Sequence, residues 1–93
     1  MVGWMGVAAS SFRITSGEAR MWSSNGQAHR YFCATCGTGL YYANEAVLPG
    51  LVDVQMATLD DPTAVAPDIQ VQVAERLPWA EHIDRLPAFD RYP

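Results

Sequence analysis

No cluster of basic residues occurs in this sequence. Its six cations are all arginines, they are dispersed, and ten acids outnumber them to give a net charge of −4. Binding to a phosphate backbone needs grouped cations, so a nucleic-acid partner is excluded. Long apolar runs are missing as well, and none approaches the ~20 residues of a membrane-spanning helix. The opening Met1-Val2-Gly3-Trp4-Met5-Gly6-Val7 has no basic n-region of the kind that starts a secretory signal peptide. The expected location is therefore the cytoplasm. Cysteine is scarce, with two residues, and so is histidine, also with two. In a reducing compartment a close cysteine pair serves as thiols or metal ligands rather than as a structural disulfide. Repeats and low-complexity linkers are absent, so residues 1–93 form one small domain with a marginal core.

What is present reads as β structure. Phe12 and Ile14 alternate with Arg13 and Thr15, and Ser16-Gly17 then turns the chain. Ala19 to Ser23 forms a second strand. Asn25-Gly26 follows, a hairpin signal because both residues tolerate positive φ. His29 to Cys33 returns, with His29, Tyr31 and Cys33 on one face. Thr38 to Ala43 pairs back onto it, and Leu51 to Thr58 alternates Val52, Val54 and Met56 against Asp53 and Gln55. Asp60-Asp61-Pro62 signals the start of a short helix that Pro67 must end. Ile69 to Ala74 reads as a further strand. The tail, "RLPWAEHIDRLPAFDRYP", has too many prolines for more than one helical turn. It reads as a wrapping segment docked by Trp79, Leu86 and Phe89.

The chemistry sits in "RYFCATCGTGLYY", Arg30 to Tyr42, which holds both cysteines. In Cys33-Ala34-Thr35-Cys36-Gly37 both sulfurs can face one point, and Gly37 lets the chain leave with positive φ. Backbone N–H groups inside the turn can donate to the Cys33 sulfur. This is the knuckle geometry of half a tetrahedral zinc site, with Cys33 and Cys36 as ligands. Two other readings stand beside it. One is a pair of ordinary buried cysteines. The other is a redox dithiol, although such motifs open a helix, and Gly37 and Gly39 oppose one. Four ligands are needed for a closed zinc site and two are supplied. His29, His82 and Asp53 are candidates for the remainder. A lone histidine on a strand is ordinarily just solvated or hydrogen-bonded, and Asp60-Asp61 fits capping better than catalysis.

Four segments together resemble a known family. "GVAASSFRITSGEA", "RYFCATCGTGLYY", "GLVDVQMATLDDP" and "LPWAEHIDRLPAFDRYP" occur in the order found in the C-terminal two thirds of the glutathione-dependent formaldehyde-activating enzymes, also called the Gfa or centromere-protein-V-like family. The resemblance implies an all-β fold, a β-tent of antiparallel sheets pinned by zinc. It implies a structural site in which an early Cys-x-Cys pair meets a late Cys-x-x-Cys pair, and a catalytic zinc held by a middle Cys-x-Cys-x-x-Cys. Only the late pair has counterparts here, Cys33 and Cys36. The family's carbon–sulfur chemistry on a glutathione adduct would need the others.

Three functions follow as expectations. The first is a truncated, non-catalytic Gfa-like module that assembles as a homodimer, with the first strand, Trp4 to Ala8, exchanged or paired across a two-fold axis. The second is an active carbon–sulfur lyase whose missing ligands come from another chain or an upstream segment. The third is a binding module for a small thiol or carbonyl compound. In the first case Cys33 and Cys36 would stay metal-free as thiols or a strained disulfide, share a zinc with the same pair of a second chain, or hold a zinc completed by His29 or His82.

Overall fold

The computed structural model describes residues 1–93. Its regular structure is one antiparallel sheet of five strands, with short 3₁₀ turns and no α-helix, so the chain is all-β as expected. The strands are β1 (Trp4–Ala8), β2 (Arg20–Ser23), β3 (His29–Phe32), β4 (Gly39–Ala43) and β5 (Leu51–Gln55), in the spatial order β1-β5-β4-β3-β2. The last four form a meander. β1 pairs with β5 of its own chain, from Trp4 opposite Gln55 to Ala8 opposite Leu51, and its other side is an open edge.

The meander follows from its turns. Between β2 and β3, Asn25 Oδ1 accepts the backbone N–H groups of Gln27 and Ala28 at 3.0 and 2.8 Å, and Ser23 Oγ accepts that of Gly26 at 2.9 Å. Only Gly26 takes a positive φ, 78°, so the loop is five residues long and not the two-residue turn that Asn-Gly suggests. Between β4 and β5, Asn44 is buried with its polar groups satisfied. It donates from Nδ2 to the Tyr42 hydroxyl at 3.0 Å and accepts the Ala46 N–H at 3.1 Å. A bulge interrupts the β3–β4 pairing between Tyr31 and Phe32, so that Tyr31 faces Tyr41 while Phe32 faces Gly39.

Four expectations are corrected. Phe12–Thr15 is not a strand. β1 and β2 are opposite edges, so residues 9–19 must cross the sheet, a span of about 19 Å at four strand spacings. Phe12 anchors the crossing, with its ring 4.8 Å from that of Tyr41. Asp61-Pro62 starts no helix, because the Asp61 carboxylate holds the Thr63 N–H and hydroxyl in a local turn and Pro67 follows too soon. Ile69–Ala74 is not a strand either. No neighbour lies in register, Gln72 breaks the extension at φ 58°, and Ile69 and Val71 are 74% and 71% exposed. The tail forms two 3₁₀ turns across Pro78–Arg85, kinked at His82, and Trp79 and Phe89 are each 59% exposed rather than docked. No hydrogen bond joins residues 60–93 to the sheet.

Only Ala28, Asn44, Val52 and Met56 are buried. The accessible surface is 7924 Å², against about 5,300 Å² for a compact monomer of this mass. The radius of gyration is 15.3 Å, against about 12 Å for a compact chain of this length. The excess is the surface of a sheet and a tail that do not cover each other.

Two outcomes test this packing. Asn44→Ala leaves partners unpaired at a buried position, and the urea midpoint is expected to fall by the equivalent of about 1–3 kcal/mol, while Gln27→Ala at an exposed position leaves it unchanged. Tyr41 behaves differently. Burial, then the neighbouring Tyr31, raises its pKa above the ordinary tyrosine value. The folded state therefore holds the phenolic proton more tightly, and this stabilisation is complete below the ordinary tyrosine range and lost as pH rises through the elevated pKa. Tyr41→Phe is expected to flatten the alkaline arm of the stability–pH curve; an unchanged arm would refute the assignment.

Candidate functional site

The cysteine turn is the tip of the β3–β4 hairpin. β3 ends at Phe32, the chain turns through Cys33–Thr38, and β4 begins at Gly39. Two backbone bonds close the turn. The Cys33 N–H donates to the Thr38 carbonyl at 2.8 Å, and the Gly37 N–H donates to the Cys33 carbonyl at 2.9 Å. Gly37 has φ 77°, as its place after the second cysteine requires. Cys33 is half-buried, Cys36 is exposed, and both are free thiols.

The sequence reading missed Thr38. Its hydroxyl lies 3.1 Å from Cys36 Sγ. The Thr38 side chain, then its backbone, then the neighbouring Cys33 side chain lower the Cys36 pKa below the ordinary thiol value, and burial opposes them only weakly. The stabilising contacts thus converge on the second sulfur, not on the first as the turn geometry suggested. The signal was legible in the run Cys36-Gly37-Thr38, since a Thr two residues after a ligand can turn back to it.

The other candidate ligands lie elsewhere. No third His, Cys, Asp or Glu groups with the two cysteines. His29 shares their strand but stands at its opposite end, opposite Ala43 and Ser23 and about 13 Å along the strand from Cys33. His82 is at the kink of the tail. Asp53 is in the middle of β5, between Gly6 and Tyr42. A site completed by one of these residues from the same chain is therefore ruled out in this arrangement. A shallow groove open to solvent, lined by Glu18, Arg20, Met21 and Ala34, runs beside the turn.

Two thiols on one turn suit half of a tetrahedral zinc site. They do not suit a catalytic zinc, which takes three protein ligands and one open position. No reaction step can be built through such an ion on the residues present.

The Thr38 contact makes a testable difference. Site-resolved alkylation followed by mass spectrometry is expected to show Cys36 reacting with a pH midpoint below that of an unperturbed thiol. Thr38→Val should move that midpoint upward, and no movement would remove the hydroxyl as the cause.

The hairpin, its two cysteines and the alternating strands are matched by a known family model. The model for the glutathione-dependent formaldehyde-activating enzyme matches residues 2–75. No curated protein and no solved structure gave a match. No helix is long and apolar enough to cross a membrane. With the match running from before β1 to beyond β5 and including the cysteine turn, the chain belongs to the glutathione-dependent formaldehyde-activating enzyme family.

Proposed function

We propose that residues 1–93 act as a Gfa-like β domain that contributes two thiolates to a structural zinc site and does not by itself carry out carbon–sulfur chemistry. The observation that carries this reading is the isolation of Cys33 and Cys36. They stand together on an accessible hairpin tip, and no third ligand of the chain approaches them. A closed zinc site takes four ligands, and soft thiolates suit the ion well. The two missing ligands come from the same turn of a second copy. An isologous contact places a residue close to its own copy near the two-fold axis, which makes a four-thiolate site with Zn–S distances of about 2.3 Å. Zinc there supplies cross-linking and folding energy rather than an activated thiol.

Assembly has independent support. Both sheet edges, β1 and β2, are open, and open edges recruit further chains. The exposed surface also exceeds that of a compact monomer, as described above.

Metal analysis after purification in metal-free buffer and reloading with zinc tests the reading. About one zinc for every two chains is expected, with dialysis against a strong chelator removing it and Cys36→Ser abolishing uptake. One zinc per monomeric chain, or no uptake by intact thiols, would overturn the shared site. Turnover of a glutathione–formaldehyde adduct by the isolated chain would overturn the non-catalytic part.

A further inference from the structure

Cys33 and Cys36 stand three residues apart in a single helical turn. The bond from the Gly37 N–H to the Cys33 carbonyl, 2.9 Å, closes it. Side chains three apart on such a turn have β-carbons about 5–6 Å apart. Across a disulfide that separation is about 3.5–4.5 Å. The two sulfurs can therefore bond after a movement of about 1–2 Å. Ala34 and Thr35, which lie between them, are exposed and make no backbone hydrogen bond, so the tip can absorb that movement. The space beyond is open, since a β-carbon added at Gly37 would meet no atom within 4 Å.

The two thiols differ in access. Cys36 is exposed, whereas Cys33 is half-buried at the end of β3, with its N–H held by the Thr38 carbonyl at 2.8 Å. The groove beside the turn is shallow and open to solvent, and its lining includes one acid, Glu18, and one cation, Arg20. It gives an incoming molecule room without selecting a charge. An accessible thiol with a second thiol close behind it is the arrangement that thiol–disulfide exchange needs, because one sulfur attacks and the other resolves. The chain has no third cysteine to compete for either step.

We propose that this turn is a thiol–disulfide exchange site for low-molecular-weight disulfides, with Cys36 as the attacking sulfur and Cys33 as the resolving one. The Cys36 thiolate attacks one sulfur of the small disulfide. The S–S bond of that molecule breaks, and the first small thiolate leaves and takes up a proton equivalent to the one Cys36 gave to solvent. Cys33 then attacks Cys36 Sγ, breaks the mixed disulfide and expels the second small thiolate, which is protonated in turn. The chain loses two electrons and two protons, and the small disulfide gains them and becomes two thiols. Attack by a small thiol on the exposed Cys36 sulfur runs the steps backwards. A sulfur tied in a disulfide is no longer a thiolate ligand. The exchange itself needs no metal; its consequence for zinc rests on the shared-site reading above, where it sets whether a chain can offer its half of the site.

The test incubates the full chain, under chelator, with hydroxyethyl disulfide and 2-mercaptoethanol at rising ratios of disulfide to thiol. Acid quenching, alkylation and mass spectrometry then count the free thiols. Wild type is expected to lose both alkylatable thiols together, with no bound probe and no link between chains. Cys33→Ser should stop at a mixed disulfide on Cys36, and Cys36→Ser should take up the probe at least about tenfold more slowly. Far-ultraviolet circular dichroism checks that both variants keep their strands, and the wild-type result stands without them. Two alkylatable thiols at the highest ratio, a mixed disulfide that persists on wild type, a disulfide between chains, or equal uptake by the two variants would each overturn the proposal. The oxidised wild-type chain is further expected to take up no zinc until it is reduced. Absence of zinc uptake by the reduced chain, with the internal disulfide still forming, would overturn the shared metal site alone.

Discussion

Tyr41 lies between two aromatic rings, with Tyr31 stacked at 4.3 Å and Phe12 at 4.8 Å. Stacked and tilted pairs of this kind contribute beyond the area they bury. In a sheet with four buried residues they matter more than in a thick core. The Tyr31 contact ties β3 to β4 directly behind the cysteine turn, and the Phe12 contact holds down the segment that links the two edges of the sheet. If Tyr41 is displaced, the crossing loses its anchor and the hairpin loses the side-chain pair nearest its tip. The three rings thus back the hairpin whose turn is closed by its own two backbone bonds.

The parts of the fold legible in the sequence are those set by local chemistry. Asn25, Gly26 and Gly37 mark turns because side-chain acceptors and positive φ act over a few residues. β2 to β5 alternate because each has neighbours on both sides or a face against other residues. Alternation misled in two places. Phe12 and Ile14 alternate, but Phe12 alone is needed to pin a crossing, and Ile14 is exposed. Ile69, Val71 and Val73 alternate with no strand to receive them. A two-residue period shows that an extended segment has an apolar side, and only pairing decides whether a sheet uses it. The cysteine pair was legible at once, and Thr38, two residues after Cys36, was a weaker local signal whose contact the folded turn makes plain.

Membership of the family rests on residues 2–75 and says more about the sheet than about chemistry. Chemistry requires a set of ligands, and within these residues the set has two members at one place. The Thr38 contact favours the thiolate of Cys36. Its exposure leaves it accessible from solvent. If the proposed shared site forms, metal occupancy depends on chain concentration, since a second chain supplies the other half.

The bulge between Tyr31 and Phe32 constrains where the length of this chain can change. Before it, Tyr31 faces Tyr41; beyond it, Phe32 faces Gly39, so Leu40 is the extra residue on β4. Side chains in a strand point to alternate faces, and a slip of one residue reverses them all. Removal of Leu40 alone would leave a regular ladder, with Tyr31 opposite Tyr41 and Phe32 opposite Gly39 as before, whereas a residue lost or gained elsewhere in β4 would slip the register on one side of the change. Such a slip breaks contacts that neighbouring strands share. Insertions and deletions in β4 are therefore disfavoured except at the bulge residue Leu40, whereas the 9–19 crossing has slack on either side of Phe12. Divergence among chains of this kind should appear as substitutions along the hairpin and as length changes in the crossing.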